Sequence, residues 1–193
     1  MRSALLIFLI LPAFAFAWGE RSHDYSGEDF WYLGVEVEQA TADQNLTSTD
    51  SLTSLYPRIK VGGVGPQATR FEVTWSRFTD KDADWRISGL DGDIWLPYRP
   101  ELRIRPYLIL GVGYHRYYGA SSDYLVSNNA DNGARSLNVG LAVIGNISYR
   151  TELVAAFRYR YLTWESPEDE NGLTPPDADA AVSGLSLGIQ RLF

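Results

Sequence analysis

Ser183-Gly184-Leu185-Ser186-Leu187-Gly188-Ile189-Gln190-Arg191-Leu192-Phe193 alternates with a period of two. Leu185, Leu187, Ile189 and Phe193 fall on one face, and Gly184, Ser186, Gly188 and Gln190 on the other. Successive side chains of a strand point to opposite sides, so the segment has one apolar face and one small or polar face. With an aromatic residue at its end, this is the pattern of a strand that has lipid outside and a polar interior behind it.

The same alternation recurs upstream in Trp31–Ala40, Leu55–Val64, Ala68–Phe78, Trp85–Tyr98, Leu102–Tyr118, Arg135–Gly145 and Thr151–Trp164, which with Val182–Phe193 makes eight segments. Each is as long as the roughly 9 to 11 tilted residues that cross a bilayer as a strand. An even number of such strands predicts an all-β fold, a closed antiparallel eight-stranded transmembrane barrel.

Parity within the strands sorts the charges. Leu33, Val35 and Val37 oppose Gly34, Glu36 and Glu38. Ile59 and Val61 oppose Arg58 and Lys60, and Phe71, Val73 and Trp75 oppose Arg70, Glu72 and Thr74. Leu90, Ile94 and Leu96 oppose Asp91, Asp93 and Trp95, while Leu108, Leu110, Val112 and Tyr114 oppose Arg103, Arg105, Gly111, Gly113 and His115. Leu137, Val139, Leu141 and Val143 oppose Ser136, Asn138, Gly140 and Ala142, and Leu153, Phe157, Tyr159 and Tyr161 oppose Glu152, Arg158 and Arg160. Lipid does not tolerate unpaired charge at mid-depth, so the ionic face is the lumen.

The predicted lumen network therefore holds Glu36, Glu38, Glu72, Asp91, Asp93 and Glu152 against Arg58, Lys60, Arg70, Arg103, Arg105, Arg158 and Arg160, with His115 beside them. The signs nearly cancel. Carboxylates and guanidiniums satisfy one another by bidentate hydrogen bonds, and an eight-stranded interior is only wide enough for side chains. A plug of salt bridges is expected rather than an open channel.

Aromatic residues gather near the proposed strand ends: Phe30, Trp31 and Tyr32; Trp75 and Phe78; Trp85, Trp95 and Tyr98; Tyr114 to Tyr118; Tyr159, Tyr161 and Trp164. They imply two belts at the lipid–water boundaries. Connections alternate in size. Gly62–Pro66, Pro97–Pro100 and Asn146–Tyr149 are short and are assigned to the periplasm. Thr41–Ser54, Thr79–Asp84, Gly119–Ala134 and Glu165–Ala181 are mostly long and polar, and are assigned to the cell exterior.

At the amino terminus, Arg2, the apolar run Ala4–Leu11, Pro12 and the small-x-small Ala15-Phe16-Ala17 read as a cleaved export signal over 1–17, leaving 18–193 as the barrel domain. The run is shorter than the roughly 20 residues of a spanning helix, which disfavours a retained anchor. The chain has no cysteine for disulfide stapling, so stability must come from a closed ladder or a large core. The formal charge of −7, which becomes −8 without Arg2, argues against nucleic acid as a partner.

By strand count, alternation, loop asymmetry and the ending Ile189-Gln190-Arg191-Leu192-Phe193, the chain resembles the small eight-stranded outer-membrane barrels, the group that includes the OmpA transmembrane domain, OmpX and the opacity-type proteins. The resemblance covers the whole of 18–193. It implies a multi-pass protein of a Gram-negative outer membrane, with Phe193 in the terminal signal read by the barrel-assembly machinery. It also implies periplasmic chaperones during biogenesis, and outer-membrane lipid and lipopolysaccharide as surroundings. Arg191 departs from that signature, but near a membrane edge a long arginine reaches the interface.

Similar folds include lipid A deacylases, in which a His-x-Ser pair faces outward. Here the corresponding triplet is His115-Arg116-Tyr117, without the serine, and the remaining histidine, His23, precedes the first strand. Catalytic residues are not expected. The acidic run Glu165, Glu168, Asp169, Glu170, Asp177 and Asp179 lacks EF-hand spacing and reads as a solvated loop, with loose cation bridging to lipopolysaccharide phosphates as the sharper alternative. The sequons at Asn45 and Asn146 are accidental in a bacterial envelope. No phosphate loop, zinc spacing or dinucleotide fingerprint occurs, so no metal or cofactor is implied.

The expected function is non-enzymatic: a structural or surface-interaction barrel, serving adhesion or envelope integrity, whose acidic loops meet an extracellular ligand. A narrow pore is the alternative, and a lipid-modifying enzyme a more distant one.

Overall fold

A segment that alternates strictly between apolar and polar residues presents two clean faces only when extended; coiled as a helix, it would spread both kinds around its circumference. The computed structural model describes residues 30–44, 52–80, 85–119, 133–164 and 178–193. The proposed export signal, His23, Asn45, the acidic residues from Glu165 to Asp177 and most of the four outer connections lie outside the described residues. Eight strands follow in order: β1 (Phe30–Gln44), β2 (Leu52–Val64), β3 (Arg70–Asp80), β4 (Trp85–Pro97), β5 (Ile104–Gly119), β6 (Gly133–Ser148), β7 (Thr151–Trp164) and β8 (Ala178–Leu192). Each pairs antiparallel with the next, and β8 pairs with β1 to close the barrel.

Register sets the dimensions. Followed from partner to partner, Tyr32 leads through Gly62, Glu72, Asp93, Gly111, Asn138, Arg160 and Val182 back to β1 at Ala42, a stagger of ten residues from 32 to 42. With standard strand rise and spacing, that stagger around eight strands tilts them by about 40°. Every residue on this path faces inward, so one oblique row of the lumen brings Glu72, Asp93, Asn138 and Arg160 onto adjacent rungs.

The outward face is apolar. Leu33, Val35, Val37, Val61, Phe71, Val73, Leu110, Val112, Leu137, Val139 and Leu141 are all exposed. A continuous apolar surface running right round a barrel is far beyond the patches that water-soluble monomers carry, and it suits a hydrocarbon surround.

Strand bounds differ from the periodicity in places. β2 continues through Val64, and the connection to β3 is Gly65–Thr69, with a 3-10 turn over Pro66–Ala68. Gln67 and Ala68 there take positive φ of 60° and 62°, which no ladder residue adopts, so Ala68 belongs to the turn and not to the strand. β6 runs on to Ser148, because a register shift between Asn146 and Ser148 carries the ladder past residues that read as a turn. The β6–β7 connection is therefore only Tyr149-Arg150.

Candidate functional site: the lumen network

All six carboxylates expected in the lumen are buried there, together with Arg58, Lys60, Arg70, Arg105, Arg158, Arg160 and His115. Arg103 is not. It has the right parity, but the β5 ladder begins at Ile104, so Arg103 lies in the turn beyond the rim and is exposed. Its removal leaves six acids and six bases, a balanced interior among the described residues.

The ion pairs form three tiers. Nearest the long connections, Glu38 accepts from Arg58 and Arg160, each at 2.6 Å. Asp91 lies 3.6 Å from Arg58 and 3.7 Å from Arg160 and accepts from Asn138 at 2.9 Å. In the middle tier, Glu36 holds Lys60 at 2.5 Å, Arg158 at 2.9 Å and the Ser186 hydroxyl at 3.1 Å. Glu72 faces the same two cations at 3.3 and 3.7 Å and accepts from Tyr32 and Thr74. Toward the chain termini, Glu152 binds Arg70 at 2.9 Å, Arg105 at 2.6 Å and Gln190 at 2.6 Å, while Arg105 also donates to Asn146. Asp93 stands apart: its partner is the Asn138 amide at 3.3 Å, and no described cation lies within ion-pair distance.

Glycines make this packing geometrically feasible. A Cβ on Gly34 would meet Lys60, and one on Gly184 would meet Glu38. One on Gly188 would meet Glu36, and Cβ atoms on Gly111 and Gly113 would meet the carboxylates of Asp93 and Asp91. Lys60, Glu36, Glu38, Asp91 and Asp93 thus each lie across a residue on an adjacent strand that has no side chain.

Three aromatic residues counted among the interfacial belts belong inside. Tyr32, Phe78 and Trp95 are buried. Trp95 lies between two cations, with Lys60 Nζ 4.9 Å and the Arg158 guanidinium 5.2 Å from its ring, and it meets Tyr107 edge-on at 6.0 Å. Arg70 sits against both Tyr32 and Tyr107 at 5.3 and 5.4 Å. Cation–π attraction of this kind strengthens where water is excluded. Tyr32, Tyr56, Tyr107 and Asn146 are lumen residues that the sequence reading passed over. Parity marks the three tyrosines, since each shares the face of a neighbouring charge, but their residue type points to a belt. Trp31, Tyr98, Tyr114, Tyr159 and Tyr161 do face outward.

Nor is the lumen polar throughout. Ala40, Ala42, Tyr56, Phe78, Ile87, Ala134, Leu162, Ala180 and Val182 cluster at the end of the long connections. Tyr32, Val64, Ala68 and Leu192 cluster at the terminal end, and Trp95, Tyr107, Ile109, Ala142, Ile144, Val154 and Ala156 fill the terminal half beside β4 to β7. An ionic middle is sealed between apolar plugs.

His115 is the one histidine among the described residues, and so the candidate for the base of a Ser-His-Asp relay. Its Nε2 lies 3.0 Å from Asp91 Oδ1 and 3.2 Å from Ser136 Oγ. A relay needs the acid on one ring nitrogen and the nucleophile on the other, so that one orients while the other takes the proton. Here both share Nε2, and all three groups are buried below the outer apolar plug. His115 lines a small pocket at the outer end with Tyr56, Phe78, Ile87 and Leu162, and Ser136 lies beneath it. Among the described residues no three His, Asp or Glu side chains converge as a metal site.

The sequence matches no protein-family model and no curated protein. Solved structures do match. Neisserial surface protein A aligns with a TM-score of 0.63 at 20% identity, over 84% of this chain and 97% of its own. Ail, the attachment invasion locus protein of Yersinia pestis, in a complex with the heparin analogue sucrose octasulfate, aligns with a TM-score of 0.51 at 13% identity, over 86% of this chain and 99% of its own. The chain has the fold of these small eight-stranded outer-membrane barrels.

Proposed function

We propose that this protein is a non-conducting, non-enzymatic scaffold of a Gram-negative outer membrane, whose sealed barrel holds its outer connections at the cell surface for adhesion or envelope integrity. The observation that carries this reading is the closed lumen. Its charges are matched six to six and flanked by apolar clusters, so neither an ion nor a substrate has a continuous polar path. The arrangement at His115 speaks against hydrolysis. The names of the two similar proteins, one a surface protein and the other an attachment invasion protein, support a role at the surface.

Planar-bilayer recording of the full chain without its signal tests the lumen: the expected trace has no steady current, and a stable unitary conductance would favour the pore. Incubation with labelled lipid A should return it unchanged; a shortened product would restore the enzyme reading. For the surface role, removing residues 120–132 should leave heat-modifiable gel migration intact and abolish the adherence that the full chain confers on cells. Equal adherence with and without that segment would remove it as the working surface.

A further inference from the structure

The outward wall over β1 to β4 has a recess that nothing inside the barrel requires. Toward the chain termini, Trp31, Gly63, Phe71 and Ile94 are successive cross-strand neighbours, and one outward rung further along so are Val61, Val73 and Gly92. The side chains of both rows are exposed and apolar. Where the two glycines fall the wall dips to backbone, and with Gly65 in the β2–β3 connection they shape an open groove of about 670 Å³. By strand rise and spacing, Gly63 and Gly92 are about 12 Å apart, so the groove runs obliquely across β3 between Phe71 and Val73.

These glycines are unlike those of the lumen. A Cβ on Gly63, Gly65 or Gly92 would meet no atom nearer than 3.8 Å, and none of the three has the left-handed φ that disfavours a side chain. Glycine weakens a strand interior, and where neither backbone conformation nor internal packing calls for it, it marks the close approach of something else. A larger apolar residue at Gly63 or Gly92 would point away from the protein and add to the apolar band. The recess therefore has its reason outside the chain.

Chemistry and depth set what fits. The edges of the groove are apolar, it opens sideways onto the hydrocarbon-facing band, and its volume is that of a small-molecule site. From the Gly65–Thr69 connection it reaches Gly92 near the middle of β4, so it covers about half the height of the wall, the thickness of one leaflet. Gly65–Thr69 carries no charged residue, so that connection does not select a headgroup. A second barrel is convex and meets this wall along a line, reaching the recess only through a protruding side chain; a flexible hydrocarbon tail follows its oblique course. We propose that the groove over Gly63 and Gly92, walled by Trp31, Phe71 and Ile94, is a binding site for one acyl chain of a glycerophospholipid in the periplasmic leaflet. The assignment rests on the reading of the barrel as an outer-membrane protein with its short connections in the periplasm, and it goes beyond that reading in giving one lipid a fixed place on the wall.

The test is native mass spectrometry of residues 18–193 folded in detergent micelles, with dipalmitoylphosphatidylcholine added in steps. Wild type should retain one lipid per barrel, saturably. Ethanolamine or glycerol headgroups should change its affinity less than about threefold, and eight-carbon chains should weaken it at least about tenfold, because each buried methylene contributes. Gly63→Leu with Gly92→Leu fills the recess without touching the lumen and should weaken retention at least about tenfold, while Val139→Leu on β6 leaves it unchanged. Heat-modifiable migration of each variant reports folding. Should the double variant not fold, a phosphatidylcholine with a diazirine on its acyl chain decides on wild type: label should gather on Trp31, Phe71, Val73 and Ile94, and even label around the barrel overturns the site. No retained lipid, unchanged retention by the folded double variant, or selection by headgroup beyond that range overturns it as well. Paired barrels that separate once the groove is filled give the recess to a second copy and overturn the lipid. Failure of wild type to float with vesicles overturns the membrane reading instead.

Discussion

Glu36 and Asp93 are both buried lumen acids, yet their neighbours give them different weight. Glu36 accepts from Lys60, Arg158 and Ser186, whereas Asp93 meets only the Asn138 amide. Glu36→Gln removes the nearer carboxylate of Lys60 and Arg158 and leaves both buried cations to share Glu72 at 3.3 and 3.7 Å, and urea unfolding in micelles should show a loss of about 3–5 kcal/mol. Asp93→Asn removes a charge with no paired cation and should cost less than about 1 kcal/mol. Equal losses would mean that Asp93 is bound into the network as tightly as Glu36. Inward orientation of both acids was legible from parity alone. Their different partners were not, because parity gives the face of a strand and pairing depends on which rungs the stagger sets side by side. Trp95 shows the same limit: its parity points inward and its residue type points to a belt, and the cations on either side of it decide.

Strands carry two separate instructions, a face and a depth. Val139 lies near the middle of β6 on the outward face, four residues from Arg135 at the strand end. Val139→Arg should cost about 2–4 kcal/mol of folding free energy in phospholipid vesicles, because a cation at mid-depth has no interface in reach. A cost near zero would put that face in water. The sequence places all eight strands and misplaces several of their ends. Arg103 continues the alternation of β5 but precedes its first ladder pair, Ile104 with Gly145. Asn146 and Ser148 resemble a turn in composition, yet β6 bulges between them and continues. Alternation persists a residue or two past a ladder and composition changes before one ends, so neither marks where hydrogen bonding stops.

Closure belongs to the whole molecule. β8 completes the ladder on both sides, pairing with β7 and β1, and the Phe193 amide donates to the Trp31 carbonyl at 2.8 Å. Removing 178–193 leaves the edges of β1 and β7 unpaired, which hydrocarbon does not tolerate. The truncated chain should lose the faster or slower band that distinguishes unheated from heated barrel in detergent gels; retention of that band would show that seven strands close. From composition and period alone, the chain dictates eight strands, an apolar exterior and an ionic interior, since alternating side chains must meet two different surroundings. Tertiary structure decides how the interior is filled: three ionic tiers over glycine gaps, apolar plugs at the ends and Arg103 outside. Those outcomes depend on the ten-residue stagger that brings distant rungs together, and stagger is a property of the closed cylinder that no single strand contains.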